Sequence, residues 1–344
     1  MRDRVLSSSE LAALIRSTDF SRCAATIVGC GDMGRHYLKA LHTLGVKKIR
    51  ACSRSAESLK GLKHLSGVET VTGGYEGLEC RVDDEEVAIV ATPMRTLVAA
   101  AKRLVALGFR RLLIEKPVSL WSTEIERLAA GLKEKGVEAF CAYNRVAYPS
   151  FHETRARGAG EGGITSCTYS FTEIVKPDWP QRFGPEELAR WGVANSLHVM
   201  GMAHGLIGMP REWSGYRRGS LPWHPAGALF AGAGISDLGV PFAYHADWGS
   251  KGCWSVEVHT SVSSYRLCPI EKLLRRTSHL SEWEEVPVTA FARDVKPGII
   301  EEVAAIFSGD VRRWVPLFSL GEAAALARYA EEVFGYSHVQ APSL

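Results

Sequence analysis

The feature that most constrains the fold is the alternation of short apolar segments with helical segments over the first 145 residues or so. The apolar segments are Ala24–Val28, Ile49–Cys52, Val68–Val71, Val87–Ala91, Arg111–Ile114 and Val137–Ala142. Helical spacing of apolar residues marks Arg35–Leu44, Glu57–Leu65, Arg95–Leu107 and Thr123–Lys135, and a short amphipathic helix over Ser7–Arg16 precedes them. Short, continuously apolar strands separated by helices indicate a parallel sheet that is covered on both faces. This region is therefore predicted to be a doubly wound α/β domain of the Rossmann type.

The second half of the chain has a different rhythm, in which strands follow one another with few helices between them. A helix over Ser150–Arg157 leads to a strand over Ile164–Ile174 and a long helix over Pro185–Ile207. The further strands are predicted at Glu212–Arg217, Ala228–Ile235, Pro241–Ala246, Cys253–Thr260, Ser263–Leu267 and Glu284–Val288, before helices at Gly298–Phe307 and Leu320–Phe334. We therefore predict a Rossmann domain over residues 1–145 and an α+β domain with an open, mainly antiparallel sheet over residues 146–344. The final helix is expected to pack back on the first domain.

Composition excludes several functional classes. A chain of 344 residues is long enough for two domains. Its 41 basic and 38 acidic residues give a net charge of only +3, which argues against a nucleic-acid or membrane surface. The eight cysteines include no C-x-x-C pair, so neither a disulfide framework nor a metal site is expected. The N-terminus lacks the apolar core of a signal peptide, and a cytoplasmic location is expected.

A glycine-rich motif follows the first predicted strand directly. It reads Gly29-Cys30-Gly31-Asp32-Met33-Gly34 and opens the first helix of the alternating region. In this context Gly29 would allow a tight turn, Gly31 a close approach of the backbone to a pyrophosphate, and Gly34 close packing of helix on strand. The free N–H groups of the helix N-terminus favour an anion there. The motif therefore predicts a dinucleotide-binding site.

The end of the second predicted strand indicates which dinucleotide binds. Enzymes that use NAD usually place an acidic residue there, where it binds the ribose 2′-hydroxyl. This chain has Ser53 followed by Arg54. A hydroxyl and a guanidinium would bind a 2′-phosphate, which a carboxylate would repel. NADP(H) is therefore predicted in preference to NAD(H).

Three further motifs lie at the ends of later strands of the same sheet. They are Ala91-Thr92-Pro93, Glu115-Lys116-Pro117 and Tyr143-Asn144-Arg145. The carboxyl ends of parallel strands hold the ligands of open α/β sheets. Together with the glycine motif, these segments resemble the glucose–fructose oxidoreductase, inositol dehydrogenase and rhizopine-catabolism (Gfo/Idh/MocA) family over nearly the whole chain. The resemblance implies a two-domain oxidoreductase that binds a nicotinamide cofactor and acts on sugars, polyols or their derivatives.

The resemblance also implies a catalytic pair, formed by the lysine of the E-K-P motif and a histidine from a helix motif that commonly reads D-x-G-x-H-x-x-D. The lysine is Lys116, and the matching helix stretch runs from Ala194 to Gly201 and keeps His198. Both aspartate positions are replaced, by Ala194 and Gly201, and Asn195 would orient the histidine instead. His198 is expected to act as acid or base on the substrate hydroxyl, with Lys116 stabilising the oxyanion.

The remaining site residues are assigned on the same basis. Glu115 and Asn144 are expected on the cofactor, and Tyr143, Arg145 and Asn195 on the substrate beside His198. The leading prediction is an NADP-dependent dehydrogenase or ketoreductase acting on a sugar, polyol or nucleotide-linked sugar. A catalytically weak NADP(H)-binding sensor or partner protein stays open, as does an epimerase or dehydratase that oxidises and re-reduces its sugar. A homodimer or homotetramer formed through the second sheet is also expected.

Overall fold

The computed structural model of the chain describes residues 5–62, 64–79 and 85–338. The strands are β1 (Ala24–Val28), β2 (Lys48–Ser53), β3 (Val68–Thr72), β4 (Val87–Val90), β5 (Arg111–Glu115), β6 (Glu138–Ala142), β7 (Ser166–Phe171), β8 (Pro210–Arg218), β9 (Leu229–Ser236), β10 (Pro241–Asp247), β11 (Trp254–His259), β12 (Ser264–Leu267), β13 (Leu273–Arg276), β14 (Glu284–Val286) and β15 (Phe318–Ser319). The α-helices are α1 (Ser8–Ser17), α2 (Asp32–Thr43), α3 (Leu97–Ala106), α4 (Ser122–Glu134), α5 (Pro149–Gly160), α6 (Trp179–Arg182), α7 (Pro185–Ala189), α8 (Leu197–Ile207), α9 (Ile299–Phe307), α10 (Gly309–Arg312) and α11 (Leu320–Phe334). They are arranged around two sheets.

The first sheet is of the Rossmann type, as predicted. Its strand order is β15-β6-β5-β4-β1-β2-β3, with β1 to β6 parallel and β15 antiparallel to β6. Its central strands β1 and β4 are buried along their whole length, because helices cover both faces. Leu38 of α2 and Ile299 of α9 belong to the apolar core on one face, and Leu128 of α4 and Leu326 of α11 to the core on the other. Helices from the end of the chain thus complete both layers.

The second sheet is open and mainly antiparallel, which also agrees with the prediction. Its order is β14-β13-β12-β11-β7-β10-β9-β8, and only the pair β7–β10 is parallel in the described part of the chain. Helix α8 packs against β7 and β11 and against the end of β6. The first residues of α8 therefore lie close to the carboxyl ends of the parallel strands. No helix in the described ranges is long and apolar enough to span a lipid bilayer.

Two helical predictions were wrong. Among the described residues of the segment predicted as a helix over Glu57–Leu65, only a single 3-10 turn forms, Glu57–Leu59. The backbone leaves the helical region at Lys60, whose ψ is 135°, and Gly61 follows with a left-handed φ of 80°. The long helix predicted over Pro185–Ile207 is divided into α7 and α8, and a π-helical turn over Gly192–Ser196 lies between them. Such turns shift the register of the backbone and often lie at functional sites. Here the turn directs a carbonyl group toward the first sheet.

Candidate active site

A cleft of about 760 Å³ lies at the carboxyl ends of β1, β2, β4 and β5. It is lined at one end by the glycine-rich turn and by Ser53, Arg54 and Ser55, and at the other by Glu115 and Lys116. Ala91, Thr92 and Pro93 form part of the wall between them. Four of the predicted motifs, far apart in sequence, therefore meet in one cavity. Its position at strand ends is where open α/β sheets hold nucleotides.

The three glycines of the turn have different steric surroundings. A Cβ on Gly29, whose φ is +99°, would overlap the carbonyl of Ala91, and a Cβ on Gly34 would overlap the carbonyl oxygen of Gly29. A Cβ on Gly31 would meet nothing within 4 Å, so the space beside this residue is open. Gly31 also caps α2, whose first N–H groups face outward from the helix end. This arrangement fits a pyrophosphate on the helix N-terminus.

The β2 end of the cleft is polar and carries a free cation. Ser53 is buried, whereas the guanidinium of Arg54 is exposed and has no hydrogen-bond or ion-pair partner in the part of the chain that the structure describes. The hydroxyl of Thr92, on the cleft wall, is likewise buried without a partner. Unpaired buried hydroxyls and free guanidinium groups are groups that a polar ligand would satisfy. The residues present therefore fit a nicotinamide dinucleotide.

Lys116 connects the cleft to the second half of the molecule. Its Nζ donates a hydrogen bond of 2.8 Å to the carbonyl of Ala194, in the π-helical turn before α8. Burial lowers the pKa of Lys116 to about 8, against the opposing effect of the neighbouring Glu115 carboxylate. Glu115 itself accepts a 2.6 Å hydrogen bond from the hydroxyl of Tyr37. An ammonium group with such a pKa exchanges its proton readily near neutral pH.

A carboxylate that the sequence did not reveal lies behind this lysine. Glu173, buried just beyond the end of β7, accepts hydrogen bonds of 2.7 Å from the Ser196 hydroxyl and 3.1 Å from the Asn195 amide. Burial raises the pKa of Glu173 to about 7, while these bonds and the charge of Lys116 act in the opposite direction. Only its place near the end of a predicted strand, where site residues tend to lie, would have marked it in the sequence.

His198 is buried at the start of α8 and is bonded to Arg145. The Nη1 group of Arg145 lies 3.1 Å from the His198 Nε2 atom. Burial, followed by the charges of Arg145, Lys116 and Lys296, holds the pKa of His198 well below its usual range. The ring is therefore neutral at physiological pH, with Nε2 accepting from the guanidinium and the ring proton on Nδ1. The ring of Trp254 lies 6.0 Å from that of His198.

Not every predicted residue reaches this region. Tyr143 is fully buried against Phe318 in the apolar core and does not line the cleft. Asn144 is buried and donates to the Pro297 carbonyl at 3.0 Å, which places it behind the cleft rather than in its lining. Asn195 bonds Glu173 instead of orienting His198, because the π-helical turn rotates it away.

The second half of the glycine motif is contacted by a lysine from near the end of the chain. The Nζ group of Lys296 lies 3.2 Å from the Met33 sulfur, and Asp32 is among the carboxylates that act on its pKa. Asp32 is exposed, and neither it nor Gly34 lines the cleft, whereas Cys30 and Met33 do. Lys296 precedes α9 in sequence by a few residues, and nothing in its local sequence distinguishes it from a surface lysine. Only the packing of α9 on α2 brings it here.

This fold and this cleft define the class of oxidoreductases that bind a nicotinamide dinucleotide on a Rossmann sheet. The family model described as an oxidoreductase family with an NAD-binding Rossmann fold, Gfo/Idh/MocA, matches residues 23–143. The match covers the dinucleotide-binding part of the chain, which is therefore similar to this family. No curated protein sequence is significantly similar to the chain.

Solved structures match nearly the whole chain. An oxidoreductase from Agrobacterium radiobacter, in complex with NAD⁺, L-tartaric acid and magnesium, has 14% identity and a TM-score of 0.70, covering 92% of this chain and 96% of that one. Levoglucosan dehydrogenase in complex with NADH and levoglucosan has 17% identity and a TM-score of 0.68, covering 91% and 96%. UDP-N-acetylglucosamine 3-dehydrogenase from Acidithiobacillus ferrooxidans has 16% identity and a TM-score of 0.67, covering 92% and 97%. At these identities, the matches establish a shared fold.

Proposed function

We propose that the protein is an NADP(H)-dependent dehydrogenase or ketoreductase that transfers a hydride to or from a hydroxyl-bearing carbon of a carbohydrate-type substrate. The hydrogen bond from Lys116 to Ala194 carries the proposal, because it joins the cofactor cleft to the segment that holds His198. Levoglucosan dehydrogenase and UDP-N-acetylglucosamine 3-dehydrogenase share the fold, which supports a sugar or sugar derivative as substrate. The residues lining the cleft fit the cofactor.

In this mechanism the bound nicotinamide supplies the acceptor or donor of the hydride. Neutral Lys116 takes the proton of the substrate hydroxyl during oxidation and returns it during reduction. One of its N–H bonds stays on Ala194, which leaves its lone pair free to face the substrate. His198 stays neutral and donates from Nδ1 to the same oxygen or a neighbouring one. This assignment exchanges the roles expected from sequence, since the cations around His198 oppose its protonation.

The pH dependence follows from the pKa of Lys116. Oxidation needs the neutral amine, so its rate is expected to rise with pH through a value of about 8 and then level off. Reduction needs the ammonium form of Lys116, so the rate of reduction should fall across the same pH range. Initial rates of cofactor reduction and oxidation, measured from pH 6 upward, would show the two opposite limbs.

The preference for NADP(H) is part of the proposal. It is supported by the free guanidinium of Arg54 beside Ser53 at the β2 end of the cleft, where no carboxylate occupies the residue after the strand. A 2′-phosphate at that position would gain a charge-assisted hydrogen bond.

We also propose that the protein assembles through the outer face of the second sheet. On the edge strand β8 and its neighbour β9, Tyr216, Leu229 and Ile235 are exposed apolar side chains. Their solvent-facing surface would be buried against a second copy in a two-fold assembly.

The catalytic assignment is tested with Lys116→Ala and His198→Ala. A panel of sugars, polyols and nucleotide sugars is first screened with NADP⁺ by absorbance of the reduced cofactor. With the best substrate, Lys116→Ala is expected to lose about 10²- to 10⁴-fold in kcat, as is usual when a positioned proton-transfer group is removed. His198→Ala should lower kcat less and raise KM more, since this variant keeps the base, Lys116. Fluorescence titration should show NADPH bound by both variants.

Matched substitutions of exposed residues, Lys251→Ala and His279→Ala, serve as controls and should leave both constants unchanged. If the whole panel is inert while NADPH still binds, the sensor reading of this protein is favoured. An unchanged kcat in Lys116→Ala would refute the proposed role of that lysine.

A further inference from the structure

Lys116, which lines the cleft, lies near two further basic side chains, Arg145 and Lys296. Within the described ranges these three residues form no ion pair, although all three are partly buried. Buried Arg190, by contrast, lies 2.6 Å from the carboxylate of Glu331. Partly buried cations without a counter-charge are costly unless a ligand supplies one. The cluster is therefore built for an anion that comes from outside the chain.

One edge of the Arg145 guanidinium is available to bind that anion. Its Nη1 is engaged by the Asn144 amide oxygen at 2.6 Å and by His198 at 3.1 Å. Its Nε is buried and has no partner. The group is held between the rings of Tyr148 and Trp254, at 5.7 and 5.8 Å. A guanidinium fixed in this way presents one edge, Nε with Nη2, that matches the two oxygens of a carboxylate.

His198 adds a second unsatisfied donor. Because Arg145 can only donate, the ring accepts at Nε2 and carries its proton on Nδ1, which is buried and has no acceptor. The two nitrogens point to opposite sides of the ring, so this N–H and the free Arg145 edge serve different groups on a ligand. A ligand that satisfies both would therefore carry a carboxylate and, close to it, a hydroxyl or carbonyl oxygen.

The carboxyl groups that act on the cluster form no ion pair with it in the described ranges. Glu115, whose pKa is affected by all three cations, accepts its hydrogen bond from Tyr37. Glu173, which acts on Lys116, accepts from Asn195 and Ser196. Glu302 on α9 is fully buried, has no partner on either oxygen, and has its pKa raised well above the usual range, first by burial and then by Glu115. Burial therefore favours the protonated, uncharged form of Glu302. The effects of charge on the pKa of His198 come from Arg145, Lys116 and Lys296, all of them cations.

The dinucleotide is not the anion that fits Arg145. The cavity at the strand ends is lined by Lys116 but not by Arg145 or His198, which lie beyond it toward the second sheet. We infer that the substrate is a polyhydroxy acid, an aldonate or uronate type of sugar acid, whose carboxylate binds the Nε edge of Arg145 while His198 Nδ1 holds a nearby hydroxyl. The inference rests on the proposed function, since it names the substrate class of the same site.

Binding to the NADP-loaded protein, measured by calorimetry, tests this without requiring turnover. Matched ligand pairs differ only in the acidic group: D-gluconate with D-sorbitol, D-galactonate with galactitol, D-glucuronate with D-glucose, and D-galacturonate with D-galactose. At least one acid is expected to bind tenfold or more tightly than its neutral counterpart. Arg145→Gln should remove that preference and leave NADPH affinity unchanged, whereas Arg211→Gln, at an exposed arginine on β8, should change neither.

Equal affinity within every pair, or no measurable binding of any acid, would overturn the inference, as would a preference that survives in Arg145→Gln. D-glucose 6-phosphate provides a further arm, and tighter binding of it than of any sugar acid would reassign the site to phosphate and so refute the carboxylate. If acids bind preferentially but the cofactor is not reduced, the proposed hydride transfer is refuted and the carboxylate site stands. If neutral sugars are turned over with no preference for acids, the carboxylate site is refuted and the proposed hydride transfer stands.

Discussion

At the scale of single residues, Glu173 supplies a buried carboxylate beside a helix motif whose two aspartate positions are Ala194 and Gly201 in this chain. Its carboxylate fixes Asn195 and Ser196, and the adjoining carbonyl of Ala194 fixes Lys116. Gly201, the second of those positions, faces Leu326 and the ring of Tyr143, where a charged side chain would be buried among apolar groups. Strand β7 therefore supplies the acidic group that α8 does not.

Glu173→Gln should shift the pH profile of oxidation. The negative charge of Glu173 supports the ammonium form of Lys116, so its removal should lower the pKa of Lys116 below about 8 and move the rising limb to lower pH. The expected effect is a downward shift of this limb, with no change in its shape. The rate at which Lys116 reacts with an amine-specific reagent, followed by mass spectrometry against pH, measures the same shift without substrate.

Glu173→Asp should restore part of the original profile, and the exposed Glu282→Gln should leave it unchanged. If labelling of Lys116 keeps the wild-type profile in Glu173→Gln, then Glu173 has only a structural role.

Arg54 is the residue on which cofactor choice should depend. NADPH is expected to bind at least tenfold more tightly than NADH, a difference of ~1.4 kcal/mol, and Arg54→Ala should bring the two affinities together. Because Arg54 is exposed and bonded to no described residue, the substitution should not change the melting temperature. Fluorescence titration of both cofactors is the measurement, and equal affinities in the wild type would show that the Ser53-Arg54 pair does not select a 2′-phosphate.

At the scale of elements, the turn between β1 and α2 separates a packing role from a binding role. Gly34→Ala should destabilise the protein by about 1–3 kcal/mol, since its Cβ would overlap the backbone of Gly29. Gly31→Ala has open space around it, so the melting temperature should hold while cofactor affinity drops roughly tenfold or more. Thermal melts with and without NADPH distinguish the two effects, and a Gly31→Ala protein with normal affinity would place the pyrophosphate elsewhere.

The division of the predicted long helix into α7 and α8 is a second feature at the scale of elements. A continuous helix from Pro185 to Ile207 would keep the Ala194 carbonyl in its own hydrogen-bond ladder. The π-helical turn frees that carbonyl for Lys116. It also places Asn195 on Glu173. A local irregularity in one helix thus determines how the two halves of the site meet.

At the scale of the whole molecule, the outer face of the second sheet should control assembly. Light scattering is expected to give a dimer or tetramer at micromolar concentration, and Tyr216→Lys should shift it toward monomer, because Tyr216 is 81% exposed on β8. Leu280→Lys, an equally exposed apolar residue that lies outside the strands, is the control. A wild-type monomer, or an assembly unaffected by Tyr216→Lys, would exclude this face as the interface.

The sequence by itself was sufficient for the Rossmann sheet, the second open sheet and the cofactor cleft. Apolar strands, amphipathic helices and a glycine turn are specified by neighbours within a few residues, so a linear pattern carries them. Even so, one predicted helix ended at Lys60, where the backbone turns extended before Gly61, and apolar spacing does not reveal such a change.

The tertiary structure alone decided which charges surround the reacting centre. Lys116 is hydrogen-bonded to Ala194, which is 78 residues away in the sequence, and Lys296 contacts Met33, which is 263 residues away. Tyr143, Asn144 and Asn195 kept their predicted neighbourhood, but their side chains turned to other partners. A residue's proximity to a site follows from local pattern and topology, whereas the direction and protonation of its side chain depend on packing and burial contributed by distant segments.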